Sequence, residues 1–174
     1  MKWQIAKLVK EAAMPIVINE EVDFSSLIER HPDIRALSKI QISGEGMVKV
    51  SEKRVIFKLA LSGTMTLGCA LTLDDVAYPF EIQTTEVFTW NVDDYDEASD
   101  EHLATGNQVE LAPIIWQHIF LEIPLKVVSD GAYEKLRAQG IEIESEEEFY
   151  AAKAAEKPTV DPRFEVLKKL NLDE

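Results

Sequence analysis

Cysteine is almost missing from this 174-residue sequence: there is one, Cys69, which excludes an internal disulfide and a cysteine-rich metal cage. Long apolar runs are missing too, and none approaches the roughly 20 residues that cross a bilayer. The opening Met1-Lys2-Trp3-Gln4-Ile5 has no apolar signal core, so the expected location is the cytoplasm, with no membrane partner. A glycine-rich phosphate loop is absent, because Gly44-Glu45-Gly46 is a lone doublet inside a strand-like alternation. Histidine is scarce and scattered: His31 precedes a proline, His102 lies in the acidic loop and His118 in the apolar helix. None has metal or triad spacing, so no cofactor and no metal is expected. Positive charge is in deficit, with 18 Lys and Arg against 32 Asp and Glu, a net charge of −14. Bulk phosphate repels such a chain unless a local basic patch dominates, so DNA is not an expected partner and basic proteins are easier ones.

What is present is an alternation that runs from Ile40 to Trp90. Apolar or small residues take even positions first (Ile40, Ile42, Gly44, Gly46, Val48, Val50). They move to odd positions after Ser51-Glu52-Lys53-Arg54 (Val55, Phe57, Leu59, Leu61, Gly63, Met65, Leu67, Cys69, Leu71, Leu73). After Asp74-Asp75 they return to even ones: Val76, Tyr78, Phe80, Ile82, then Phe88 and Trp90. A period of two with a polar opposite face is the pattern of half-buried strands. Parity changes at turn-prone breaks are what a three-stranded antiparallel meander requires. The expected fold class is α+β: an antiparallel sheet, open or rolled toward a barrel, covered by one apolar helix, with an acidic helical C-terminal extension.

The flanks are read in the same way. A helical pattern covers 3–13 and stops at Pro15, 16–18 is a short strand or extended arm, and Asp23 caps a brief helix over 24–30. Residues 93–101 hold six acids in nine positions. An EF-hand would need glycine sixth and glutamate twelfth, but counting from Asp94 those positions are Ser99 and Thr105, so a solvated loop is expected. Residues 106–110 form a short strand or loop. Pro113 opens the apolar helix 113–123, ended by Pro124. A helix at 132–139 stops at Gly140, and Ser145 with Glu148 makes a capping box for an acidic helix to 156. After a linker, Asp161-Pro162 caps a last helix with the stripe Phe164, Leu167, Leu170. One domain over 1–140 and a tail over 141–174 follow. Charge divides similarly: residues 1–92 carry 10 basic and 12 acidic side chains, residues 93–174 carry 8 and 20.

No catalytic constellation is legible, so a non-enzymatic role is expected. Asp74 and Asp75 read as a turn and Cys69, between Leu67 and Leu71 on one face, as a buried, inert thiol. The one basic cluster, Lys49, Lys53, Arg54 and Lys58, flanks the first hairpin. It is a candidate RNA-contacting tip, or simply a charged hairpin end that blocks aggregation.

Four blocks along nearly the whole chain resemble the YceD family. They are the stretch from Leu61-Ser62-Gly63-Thr64 through Cys69 and Thr72 to Tyr78-Pro79-Phe80-Glu81, then Val109-Glu110-Leu111-Ala112-Pro113, Leu121-Glu122-Ile123-Pro124-Leu125-Lys126, and Asp161-Pro162-Arg163-Phe164-Glu165-Val166-Leu167. The resemblance implies a factor in large ribosomal subunit assembly that supports accumulation of large-subunit ribosomal RNA. Its partner would be precursor ribosomal RNA, held through the basic hairpin, or a basic large-subunit ribosomal protein, held through the acids of 93–101 and 142–148. It also implies signature positions at Gly63, Cys69, Tyr78, Pro79, Phe80, Pro124, Asp161, Pro162 and Arg163. Many members of that family carry a Cys-x-x-Cys pair where this chain has Cys69 and Thr72, and further cysteines where it has Val127, Val128 and Ser129. A metal or redox site of those cysteines is therefore not expected here. The rival reading is a small hydrolase or metal-dependent enzyme, which needs a polar cleft gathering His102 or His118 with carboxylates.

Overall fold

The computed structural model describes residues 1–155 apart from Arg30, Asp94 and Glu97. The chain runs β1 (Lys2–Gln4), α1 (Ile5–Lys10), β2 (Ile16–Val22), α2 (Ser25–Ile28), β3 (Ile34–Leu37) and β4 (Ile40–Lys49). After a 3-10 turn, β5 (Arg54–Gly68) and β6 (Asp75–Thr89) follow, then β7 (Glu101–Leu103), β8 (Gln108–Glu110) and α3 (Ala112–Leu121). These belong to one compact unit, residues 1–129; a second, residues 130–174, holds α4 (Ala132–Ala138) and α5 (Glu146–Ala155).

The alternating stretch forms the expected meander, β4, β5 and β6, paired antiparallel in order. Strand β5 is 15 residues long and pairs with β6 from Arg54↔Thr89 to Gly68↔Asp75. Its other edge is shared by β4, up to Gln41↔Ser62, and β3, from Leu37↔Met65. Ser38 bridges the handover: its N–H donates to the Thr64 carbonyl and its Oγ accepts the Thr64 N–H, both at 2.9 Å. A side-chain oxygen thus stands in for a missing ladder carbonyl. Strand β2 adds to β4 antiparallel and β7 to β6 parallel, giving the order β2-β4-β5-β6-β7. The sheet is open, with β2 and β7 at its edges, and β1 pairs with β8 apart from it.

Burial follows parity. Ile40, Ile42, Val55, Phe57, Leu61, Met65 and Cys69 are essentially inaccessible, while Gln41, Ser43, Glu45, Lys58, Ser62, Glu81 and Gln83 on the other face are exposed. Helix α3 covers the apolar face with Ile115 and Ile119, in one cluster with Leu8, Phe24, Val109 and Leu111. Each such side chain is worth about 1.5–3 kcal/mol when taken from water. A one-residue slip would expose a whole strand's set, and this fixes the register.

The glycines on the inner face are spaces for aromatic rings. A Cβ at Gly46 would meet the Phe57 ring at 2.6 Å, and one at Gly63 would lie 3.2 Å from Phe80 Cζ and 2.6 Å from Ile40 Cδ1. The partners are register neighbours, Gly46↔Phe57 and Gly63↔Phe80, so each ring lies over the glycine opposite.

Several boundaries differ from those read in the sequence, each because of a tertiary ladder. Residues 2–4 are strand rather than helix, since they pair with 108–110 and Trp3 packs on Phe57 with ring centroids 5.3 Å apart. Strand β2 extends to Val22, drawn out along β4. Glu101 begins β7 instead of remaining in the acidic loop. The second turn spans Cys69 to Asp74, with Asp75 already paired. Helix α3 stops at Leu121, short of Ile123. In the second unit Gly140 follows α4 at φ 81°, where glycine is favoured. The capping box forms: Ser145 N–H reaches Glu148 Oε2 at 2.8 Å and Glu148 N–H reaches Ser145 Oγ at 3.2 Å. The last helix read from the sequence lies outside the described residues.

Gly44 and Gly63 should respond differently to alanine. A Cβ at Gly44 would lie 2.1 Å from the Lys58 carbonyl oxygen, a ladder atom, whereas at Gly63 the closest atom is the end of the Ile40 side chain. Gly63→Ala is expected to cost about 1–3 kcal/mol and Gly44→Ala more, as overpacking against backbone cannot be relieved by a rotamer change. Urea unfolding of both variants checks the order; equal costs would contradict it.

Candidate functional site

Three features bear on function: the basic hairpin, a buried carboxylate between two histidines, and a thiol enclosed by hydrogen-bond donors. The hairpin tip places Lys49 and Arg54 directly opposite each other, with Lys53 in the turn at φ 51°. Lys58 lies four residues further along β5, about 13 Å from Arg54 along an extended strand. Part of the cluster is already engaged. Arg54 Nη1 donates to Glu101 Oε1 at 2.8 Å, Glu52 lies 3.4 Å from Arg54 Nε, and Lys53 Nζ donates to Asn91 Oδ1 at 3.2 Å. Lys58 faces Glu45 in the register.

The second feature escaped the sequence reading. Thr84 and Glu86 occupy the even, inward parity of β6, where the apolar series skips from Ile82 to Phe88. That gap was the signal. Strand β7 brings His102 and helix α3 brings His118 to the same carboxylate. His102 Nε2 is 2.7 Å from Glu86 Oε2, His118 Nε2 is 2.7 Å from Glu86 Oε1, and the Thr84 hydroxyl donates to Oε1 as well. Glu86 is 7% exposed. Burial pushes its pKa up, but the hydrogen bonds from Thr84, His102 and His118 outweigh burial and hold it below the ordinary value. The group is therefore ionised in the core, and it ties β7 and α3 to β6. His31 stands apart, packed between Trp116 and Phe120 at ring distances of 5.5 and 4.6 Å.

This is the convergence of His102 and His118 with a carboxylate that an enzymatic reading would need, although both Nε2 atoms are spent on Glu86. The cluster's hydroxyl, Thr84, donates to Glu86 Oε1 and also lies 3.3 Å from His118 Nε2. His102 does line a cleft of about 400 Å³ with Phe88, Tyr95, Gln108 and Glu110. Among the described residues no group of three or more His, Cys, Asp or Glu side chains is placed to hold a metal ion.

The third feature joins two loops. Cys69 is buried, and its Sγ accepts from Thr72 N–H at 3.5 Å, Ser129 N–H at 3.3 Å and the Ser129 hydroxyl at 3.4 Å. Ala70 N–H also bonds the Val127 carbonyl at 2.8 Å. Burial raises the thiol's pKa, but bonds from Ser129, Thr72 and Leu71 outweigh it and bring the value down to about 6. The loops at 69–72 and 127–129, which the resemblance marks as cysteine positions in relatives, are therefore neighbours. Here they are closed by a hydroxyl and amides on one sulfur.

Of the other signature positions, Gly63 and Phe80 form the ring-over-glycine pair. Tyr78 is half-buried beside Met65 in register, and Pro79 is exposed where β6 has no second strand to donate to. Pro124 lines a cleft of about 440 Å³ with Arg35, Gly68 and Lys126. Asp161, Pro162 and Arg163 lie outside the described residues.

Replacing Glu86 tests the buried cluster. Glu86→Gln puts an amide donor against histidine donors and is expected to cost about 1–3 kcal/mol near neutral pH. A lowered folded-state pKa stabilises above the ordinary carboxylate value and is lost as pH falls through the folded value. The wild type should therefore lose stability on going below about pH 4.5, and the variant should lose less. Denaturant unfolding at a series of pH values checks this; parallel acid limbs would contradict it.

Comparison with known proteins points to the same family as the resemblance. The family model described as "Large ribosomal RNA subunit accumulation protein YceD" matches residues 57–171. The chain is 34% identical over 170 residues to the uncharacterized protein YlbN of Bacillus subtilis strain 168, covering 98% of this chain and 96% of that one. No solved structure matches. The match takes in β5, β6, the Glu86 cluster and the Cys69 loops, and the chain belongs to the YceD family.

Proposed function

We propose that this protein is a cytoplasmic, non-enzymatic factor in assembly of the large ribosomal subunit, and that it supports accumulation of large-subunit ribosomal RNA. The family description names that outcome and no reaction. The mode supported best is capture of a basic large-subunit ribosomal protein. The observation that carries it is the state of the charges. Arg54 is committed to Glu101, Lys53 to Asn91, and Lys58 faces Glu45, while 20 acids stand against 11 Lys and Arg in residues 1–129. A phosphate backbone approaching the hairpin would have to displace carboxylates already there, whereas a cationic protein meets favourable potential over most of the surface. Among the described residues no helix is long and apolar enough to cross a membrane.

A second mode, direct binding of precursor ribosomal RNA by Lys49, Lys53, Arg54 and Lys58, is favoured by the family's description as a ribosomal RNA accumulation protein. It would have to work against the net charge of −14 and would weaken steeply with salt.

Depletion of the protein in its host, followed by sucrose-gradient profiling and comparison of the two large ribosomal RNAs, tests the assembly reading. A deficit confined to the large subunit and its RNA is expected. Normal accumulation of both subunits would end it.

A further inference from the structure

The main sheet ends unequally. On one side β7 covers only Val87–Thr89 of β6, whose remaining outer edge is interrupted by Pro79; on the other, β2 runs seven residues and has β4 as its one strand partner among the described residues. An antiparallel strand directs alternate N–H and C=O groups away from its partner, so β2 presents a row of backbone groups along its outer side. Proteins usually blunt such an edge with lysine, proline or a bulge. Within β2 there is none of these, and the register with β4 is unbroken from Ile16↔Gly46 to Val22↔Ile40.

Charge decides what this edge can accept. Residues 11–29, which contain β2, hold five acids and no Lys or Arg. Glu20 and Glu21 are both exposed, and Glu45 is exposed opposite Val17. Glu21 also accepts from Lys39 at 3.1 Å and from Gln41, its register partner on β4, at 2.7 Å, so an incoming cation would share its carboxylate with Lys39. A second copy of this chain would bring glutamates against glutamates and is disfavoured by its own edge. A lysine- or arginine-bearing strand would bring opposite charges together. Next to the carboxylates, Val17 is 79% exposed and Met47, its diagonal neighbour on the same face, is 53% exposed, which gives an apolar footing for one side chain of the incoming strand.

We propose that the free edge of β2 accepts an extended Lys/Arg-rich segment of a partner protein as an added strand, with backbone pairing along Ile16–Val22 and salt links to Glu20, Glu21 and Glu45. The inference rests on the basic-protein reading above and gives it a place on the molecule. Main-chain pairing supplies affinity in strand addition, and the alternating side chains supply selectivity.

The test uses the full chain, isotope-labelled, with a probe peptide of about ten residues alternating valine and lysine, long enough to span β2. The expected result is new hydrogen-exchange protection at alternate amides of β2 and inter-strand contacts from them to the peptide. A valine–glutamate peptide should give neither. The double variant Glu20→Lys, Glu21→Lys should bind the basic peptide about tenfold more weakly at low salt. Peptide binding that leaves the β2 amides unprotected, or that survives the double variant unchanged, overturns the inference. Basic large-subunit ribosomal proteins, offered to both forms, separate the two levels. Capture retained by the double variant overturns the edge site alone, whereas no capture by the wild type overturns the basic-protein reading as well.

Discussion

The ladder along β5 sets the geometry of the first unit. Fifteen consecutive residues of one strand are paired with β6 on one side and with β4 and then β3 on the other. With both edges committed, β5 cannot shift by one residue without turning Phe57, Leu61 and Met65 to water, and each of these is worth about 1.5–3 kcal/mol of burial. The handover from β4 to β3 is kept in step by Ser38, whose hydroxyl fills the ladder at Thr64. The ring-over-glycine contacts at Gly46 and Gly63 work on the same register, since each needs the residue opposite to be the aromatic one. Gly63 and Phe80 are thus one packing unit built from two strands.

That scaffold places the polar groups. Glu86 lies on the inward parity of β6, and its ionised carboxylate is tolerable there because β7 and α3 each deliver an imidazole and Thr84 a hydroxyl. The cluster gives the short, parallel β7 a reason to pair where the acidic loop ends. It also orients α3, whose apolar sides would otherwise allow several rotations over the sheet. The Cys69 loops are closed by the same economy of local donors, with Ser129 and Thr72 converging on one sulfur.

Much of this was legible in the residues. Parity alone located β4, β5 and β6 and named their buried side chains, because a period of two is a local property of a strand with one wet face. Pro113 and the Ser145–Glu148 box marked two helix starts for equally local reasons. What was not legible depends on pairing between distant segments. Residues 2–4 look helical until β8 is available to them, and β2 appears to end at Ile18 unless β4 lies alongside. The histidines were read as separate because 16 positions part His102 from His118, and Glu86 lies another 16 before His102. Only the missing apolar residues at positions 84 and 86 hinted at a polar site on the core face. The charges of the hairpin were visible, but their engagement by Glu101 and Asn91 was not, since both partners come from beyond β6.

In the proposed function this acidic YceD-family chain works by holding a basic protein rather than by gripping RNA. Crosslinking in host cells, with denaturing purification of this protein and identification of both the protein and the RNA joined to it, tests that most directly. A basic large-subunit ribosomal protein is expected as the main adduct. Ribosomal RNA joined through Lys49, Lys53 or Lys58, with no protein adduct, would contradict it.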